Sequence, residues 1–139
     1  NVAGTVEHSV LSPGVRVDVG AVVRDSIVLF DTVIRAGAII DRSIIDKEVS
    51  IGPNVHIGEG ADLGIPNRQE PTRLNTGITV VGKRAIIPRG VRIGRNCRIA
   101  EGVRAVDFRS RVVRSGGSVE PRRDAERRPP ASAARRGER

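Results

Sequence analysis

The apolar residues of the chain keep two beats. In VGKRAIIPRGVRIGRNCRIAEGVR, residues 81–104, Val81, Ile87, Ile93 and Ile99 stand six apart, and four places after each come the smaller apolar residues Ala85, Val91, Cys97 and Val103. Three places after each aliphatic residue stand Arg84, Gly90, Asn96 and Gly102. All but the first are Gly or Asn, the types that tolerate a left-handed backbone at a sharp corner. The first half repeats every 17 residues. VDVGAVVRDSIVLFDTV from Val17, IRAGAIIDRSIIDKEVS from Ile34 and IGPNVHIGEGADLGIPN from Ile51 align Gly20 with Gly37 and Asn54, and Ala21 with Ala38 and Val55. A fainter copy, NVAGTVEHSVLSPGVR, keeps Ser9 in line with Ser26 and Ser43.

These spacings predict an all-β fold in which short strands meet at tight corners, three to a coil, with each coil stacked on the last at about 4.8 Å. The result is a triangular parallel β-helix with its aliphatic residues in inward columns. Neither the period of an amphipathic helix nor long strict alternation fits as well. Spacing carries no handedness, and the general rule for parallel crossovers favours right-handed coils.

The β-helix domain is expected over residues 1–120. It comprises a first repeat block at 1–63, an excursion loop at 64–77, a second repeat block at 78–104, and a closing segment at 105–120 that adds a strand over the open end. The loop, GIPNRQEPTRLNTG, has two prolines and no apolar period, so it reads as chain thrown out from the stack. Residues 121–139, PRRDAERRPPASAARRGER, are rich in Pro, Ala and Arg and are expected to form a disordered tail.

Composition agrees with thin repeated layers. The only aromatic residues of the 139 are Phe30 and Phe108, so the core must come from Val, Ile, Leu and Ala. The formal charge of +8 is uneven: residues 1–63 hold five basic and nine acidic side chains, residues 64–120 twelve and four, and residues 121–139 seven and three. A single cysteine excludes an internal disulfide. No apolar run approaches the roughly 20 residues of a membrane span, and no charged stretch followed by an apolar one stands at the start of the sequence, so a signal peptide is not expected. A cytoplasmic protein without a membrane partner is expected. The repeat is already running at Asn1, so the chain is expected to begin partway through a longer protein.

Little in the sequence carries chemistry. Cys97 occupies the small inward position of its hexad, equivalent to Ala85 and Val91, and reads as buried filler. His8 and His56 are the only histidines, 48 residues apart, with none in the loop. No three-histidine metal site and no loop base is available within the chain. Arg92, Arg98 and Arg104 stand six apart and so point from three sides of the coil rather than along one groove, and the aromatic platforms of single-strand binders are missing. No sequence-specific nucleic-acid partner is expected. A sharper reading gathers a few cations on a small phosphorylated molecule. Lys83, one of two lysines with Lys47, sits beside Arg84 directly after the loop that carries Arg68 and Arg73. A compact ammonium and a forked guanidinium suit phosphate oxygens, although a solvated charged edge explains the same residues. No catalytic or metal-binding residue is assigned.

The run NTGITVVGKRAIIPRGVRIGRNCRI, residues 75–99, together with HSVLSPGVRV and VIRAGAIIDRSIIDKEVSIGPNVHIG, resembles the C-terminal domain of glucose-1-phosphate adenylyltransferase, also called ADP-glucose pyrophosphorylase. The resemblance covers residues 1–119 and implies left-handed coils. It implies a preceding nucleotidyltransferase domain that makes ADP-glucose from ATP and glucose 1-phosphate with Mg²⁺ for glycogen synthesis. It further implies a homotetramer regulated by a small phosphorylated effector. The family's effector lysine falls on Lys83 of GITVVGKRAIIP, with Arg84 carried beside it. ATP and Mg²⁺ belong to the other domain, so this chain is expected to hold no cofactor and to be inactive alone. The alternatives are the β-helix domain of another sugar nucleotidyltransferase, a stand-alone hexapeptide acyltransferase, and a non-catalytic nucleic-acid or partner-binding module.

Overall fold

A computed structural model describes residues 1–122, so the expected disordered tail lies almost wholly outside the described residues. The chain winds as a three-sided parallel β-helix of strands two or three residues long. The first face stacks Thr5–Glu7, Val22–Arg24, Ile39–Asp41, His56–Ile57, Arg92–Ile93 and Val112–Val113. The second stacks Val10–Leu11, Ile27–Val28, Ser43–Ile45, Thr79–Val81, Arg98–Ile99 and Ser118–Val119. The third stacks Arg16–Val17, Val33–Ile34, Ser50–Ile51 and Ile86–Ile87. Every pairing is parallel, as stacked coils require.

The predicted inward columns form the core. Ile34, Ile40, Ile45, Ile51, Ile57, Ile87, Ile93 and Ile99 are fully buried, with Ala21, Ala38, Val55, Ala85, Val91 and Cys97 filling the smaller positions. Each buried isoleucine contributes about 1.5 to 3 kcal/mol by leaving water. Spread over many equal layers, that burial replaces a single large centre.

The 17-residue beat has one local cause. Inward residues are six apart along most of the coil, but across the corner from first to second face Val23 and Val28, like Ile40 and Ile45, are only five apart. Serine completes this short corner. The Ser26 hydroxyl donates to the Arg24 carbonyl oxygen at 2.7 Å and accepts the Ser43 amide at 3.1 Å, while the Ser26 amide donates to the Ser9 hydroxyl at 3.1 Å. Thr79 takes the next rung beside Ser43, and its hydroxyl accepts the Cys97 amide at 3.1 Å. The column reads Ser9, Ser26, Ser43, Thr79, Cys97. After the loop the same corner is six residues long, from Ile93 to Ile99, and the coil becomes three full hexads.

The loop leaves the stack after Ile57 and rejoins it at Thr79, so the segment without strand structure is 58–78. It folds back along the first corner instead of standing away. Asn96, buried at that corner with φ 57°, donates to the carbonyl oxygens of Leu63 at 2.9 Å and Ile65 at 2.6 Å, and accepts the Gly77 amide at 2.7 Å. Arg95 donates to the Gly60 carbonyl oxygen at 2.7 Å and to the Asp41 carboxylate at 2.8 Å. Gly116, at φ 82°, lets the chain pass where a Cβ would stand 2.5 Å from the Pro66 carbonyl oxygen.

The closing segment adds strands on the first and second faces, Val112–Val113 and Ser118–Val119. Where the third face would continue, a 3-10 turn spans Ala105–Asp107, because the Asp107 carboxylate accepts the Arg104 amide at 2.8 Å and draws the chain into a tight bend.

Candidate functional site

The second corner, between second and third faces, repeats the same backbone geometry on every rung. Asp31, Glu48 and Arg84 adopt φ of 60°, 58° and 60° there, in line with Gly14 and Gly102. The rungs join through amides of these left-handed residues: Glu48 donates to Phe30, Arg84 to Lys47 at 3.0 Å, and Gly102 to Lys83 at 2.9 Å. Phe30, Lys47, Lys83 and Glu101 therefore occupy one position on four successive coils. The two lysines of the chain, 36 residues apart in sequence, become neighbours one coil apart. That adjacency was missed in the sequence because the loop breaks the count between them.

Lys83 is half-buried and Arg84 exposed, with the Arg84 guanidinium 3.6 Å from the Glu101 carboxylate. Glu101 tempers the charge of Arg84, while Lys47 and Lys83 have no carboxylate within ion-pairing distance among the described residues. An anion placed across this corner would meet two ammonium groups about 4.8 Å apart in backbone spacing, with a guanidinium beside them. Those cationic side chains are of the kind that suits phosphate oxygens. A depression of about 300 Å³ adjoins it on the second face, lined by Leu29, Ile44, Asp46, Val80, Arg98 and Glu101 among others.

The loop arginines do not join Lys83. Arg68 lies at the first corner of the last coil, where its amide donates to the Gly116 carbonyl oxygen at 3.0 Å, and Arg73 stands beside Glu70 at 3.9 Å. Arg68 instead borders a cleft of about 630 Å³ at the end of the stack, with Phe108, Arg109, Arg114 and Arg122. Asp107 and Glu120 stand among these arginines and leave the cleft with mixed charge.

The other candidates divide as follows. Cys97 is fully buried, with its sulfur 3.2 Å from the Arg114 carbonyl oxygen, and burial pushes its thiol pKa up. His8 is exposed 3.8 Å from Asp25, and His56 lies on the outer side of the first face 3.8 Å from Glu59. Three coils separate the two histidines, and among the described residues no three His, Cys, Asp or Glu side chains are grouped to hold a metal. Burial, followed by Arg92, Arg24 and Arg95, lowers the His56 pKa against the opposing effect of Asp41. The arginine comb spreads around the coil: Arg92 pairs with Glu59 on the first face, Arg98 with Glu120 at 3.5 Å on the second, and Arg104 opens the turn after the second corner.

The GlmU-like, C-terminal hexapeptide family matches residues 2–81. Among curated proteins, the glucose-1-phosphate adenylyltransferase of Thermomicrobium roseum is 58% identical over 98 residues, covering 70% of this chain and 23% of that protein. The enzyme of the same name from Acetivibrio thermocellus is 44% identical over 116 residues, covering 84% and 27%. The chain thus spans about a quarter of the length of the curated relatives it matches. Among solved structures, the acetyltransferase domain of PglB from Neisseria gonorrhoeae, in complex with acetyl coenzyme A, aligns with a TM-score of 0.56 over 84% of this chain and 54% of that one, at 18% identity. That likeness speaks for the coil architecture alone. No helix among the described residues is long and apolar enough to cross a membrane.

Proposed function

Since the chain belongs to the GlmU-like, C-terminal hexapeptide family, we propose that it is the regulatory and oligomerising domain of a glucose-1-phosphate adenylyltransferase. The observation that carries this reading is the 58% identity to the Thermomicrobium roseum enzyme over 98 residues. The whole protein makes ADP-glucose and pyrophosphate from ATP and glucose 1-phosphate for glycogen synthesis, with Mg²⁺ and ATP held outside this chain. Its assembly is a homotetramer, and its chemistry is tuned by a small phosphorylated effector.

The effector's phosphate sits at the second corner, held by Lys83 with Arg84 beside it and Lys47 one coil away. The ammonium groups supply point charges, and Arg84 supplies an oriented fork where Glu101 leaves it free to turn. Regulation by this means needs no catalytic group in the β-helix. The corner binds a charge, and the rigid stack of coils carries the consequence to whatever it touches.

The test joins the full chain to the nucleotidyltransferase portion of the Thermomicrobium roseum enzyme and measures activation by phosphorylated metabolites. A charge-assisted contact is worth about 1.5 to 3 kcal/mol, so Lys83→Ala is expected to raise the half-activating concentration by about ten- to a hundredfold. The basal rate should hold. Unchanged activation in Lys83→Ala would remove the site assignment, and a joined protein unable to make ADP-glucose would remove the enzyme assignment.

A further inference from the structure

The far end of the stack leaves part of its core open. The first and second faces end on Val112–Val113 and Ser118–Val119, while the third stops at Ile86–Ile87 and gives way to the turn at Ala105–Asp107. Phe108, Val113 and Val119 pack on the core yet stay only partly buried, and all three line the cleft of about 630 Å³ at this end. Arg68, Arg109, Arg114 and Arg122 line it too. Each comes from a different stretch: the loop, the chain after the turn, the corner between the last two strands, and the chain beyond them. The result is an apolar floor under a rim of guanidinium groups.

The two carboxylates of the cleft are already engaged. Asp107 accepts the amides of Arg104 at 2.8 Å and Arg122 at 3.0 Å, and Glu120 pairs with Arg98 at 3.5 Å. None of the four rim arginines has a carboxylate within ion-pairing distance among the described residues. The Nε of Arg122 is buried and has no hydrogen-bond partner among them. Buried donors are normally satisfied, so this one asks for an acceptor that the coils do not supply.

We propose that this cleft binds a small organic anion, its apolar body on Phe108, Val113 and Val119 and its phosphate or carboxylate group among the arginines. The volume lies within the roughly 300 to 1,000 Å³ of small-molecule sites, and the cleft shares no residue with the depression beside Lys83. Guanidinium forks take either anionic group in paired hydrogen bonds. Larger occupants fit less well. A second copy related by a two-fold axis would set the four arginines against themselves, and residues 121–139, with seven basic and three acidic side chains, carry the same sign as the rim. A bound anion would tie the loop, through Arg68, to the closing segment, through Arg109 and Arg114. This site is independent of the Lys83 corner and of the enzyme assignment.

The chain's two phenylalanines are its own reporters. Phe108 lines the cleft, while Phe30 shares the second-corner position of Lys47 and Lys83, so NMR of the full chain with labelled phenylalanine rings reads the two places separately. Hexyl phosphate or hexanoate is expected to shift Phe108 saturably, at least about tenfold more tightly than inorganic phosphate, the gain from burying roughly two methylenes. A response to one probe and not the other supports the site and fixes its anionic group. Arg114→Ala and Arg68→Ala, both at exposed positions, are each expected to weaken binding about tenfold, the loss of one charge-assisted contact. Measuring both frees the test from the folding of either variant. A Phe108 signal indifferent to both probes would overturn the proposal. So would a shift of Phe30 alone, which gives the anion to the second corner, or equal affinity for inorganic phosphate, which marks an adventitious ion only. Unchanged affinity in both variants would overturn it as well.

Discussion

The side-chain amide of Asn67 donates to the carbonyl oxygen of Asn96 at 3.0 Å, across 29 residues of chain. Asn67 also donates to Gly117 and Ser118 at 3.2 and 3.1 Å, while its own oxygen accepts the amides of Gln69 and Glu70. Asn96 in turn grips Leu63, Ile65 and Gly77. Two buried amides thus fasten the loop to the coils. Asn67→Ala strands several buried groups, each costing about 1 to 3 kcal/mol. It is expected to destabilise the protein by about 2 to 4 kcal/mol in urea titration and to speed proteolysis within 58–78. Asn96→Gly keeps the left-handed backbone and is expected to show the same pair of effects. An unchanged midpoint with unchanged cleavage would contradict the anchoring role.

The serine column makes a graded prediction. Ser26 serves two bonds at the short corner, and its loss leaves the Ser43 amide unpartnered in the interior. Ser26→Ala is expected to cost about 2 kcal/mol. Ser9→Ala removes the same kind of hydroxyl from the first coil, where water can replace it, and is expected to cost less than about 1 kcal/mol. Equal effects in denaturant titration would show that the column contributes no more inside the stack than at its edge.

Cys97 gives a pH dependence on the alkaline side. Burial raises its folded pKa above that of the free thiol, so the native state holds this proton more tightly than the unfolded chain does. The associated stability is complete below the unfolded value of roughly 8.5 and declines as pH rises above it. Denaturation midpoints are expected to fall as pH rises above about 8.5, with a shallower fall in Cys97→Ala. The native thiol should react with a disulfide reagent only as fast as the protein opens.

His56 predicts the acid side. Its lowered pKa means that the unfolded chain binds a proton more readily than the folded one. Its contribution is present above the unfolded value of roughly 6.5 and is lost as pH falls below it. His56→Gln should flatten that part of the stability profile. Direct titration of the imidazole by NMR should give a midpoint below 6.5; one above it would show that Glu59 and Asp41 outweigh burial and the three arginines.

The core was legible because a hexad states its own register: Val81, Ile87, Ile93 and Ile99 point inward as read, and Cys97 fills a buried small position. The 17-residue beat was legible too, but not the corner that is short, since Ser26 and Ser43 explain themselves only once their hydroxyls are seen to complete a turn. Corners were read from Gly and Asn, yet His8, Asp25, Asp31, Arg42, Glu48 and Arg84 also hold positive φ. The stacked amide bonds of neighbouring coils hold these residues in a conformation that costs an isolated residue about 1 to 2 kcal/mol. The winding sense came from resemblance alone, because spacing has no chirality. Lys47 beside Lys83 was hidden by the loop, which shifts the register from Ser50 to Ile86 by 36 residues.

That long register step has a mechanical consequence. Pulled by its two ends, a stack of coils peels one turn at a time, and each early turn pays out 17 residues, about 60 Å of extended chain. The turn containing the loop releases roughly twice that length, and only after Asn67, Asn96 and Arg95 have let go. In a force-extension record the molecule would therefore carry its own ruler: a series of near-equal steps with one long interval marking where the loop was inserted.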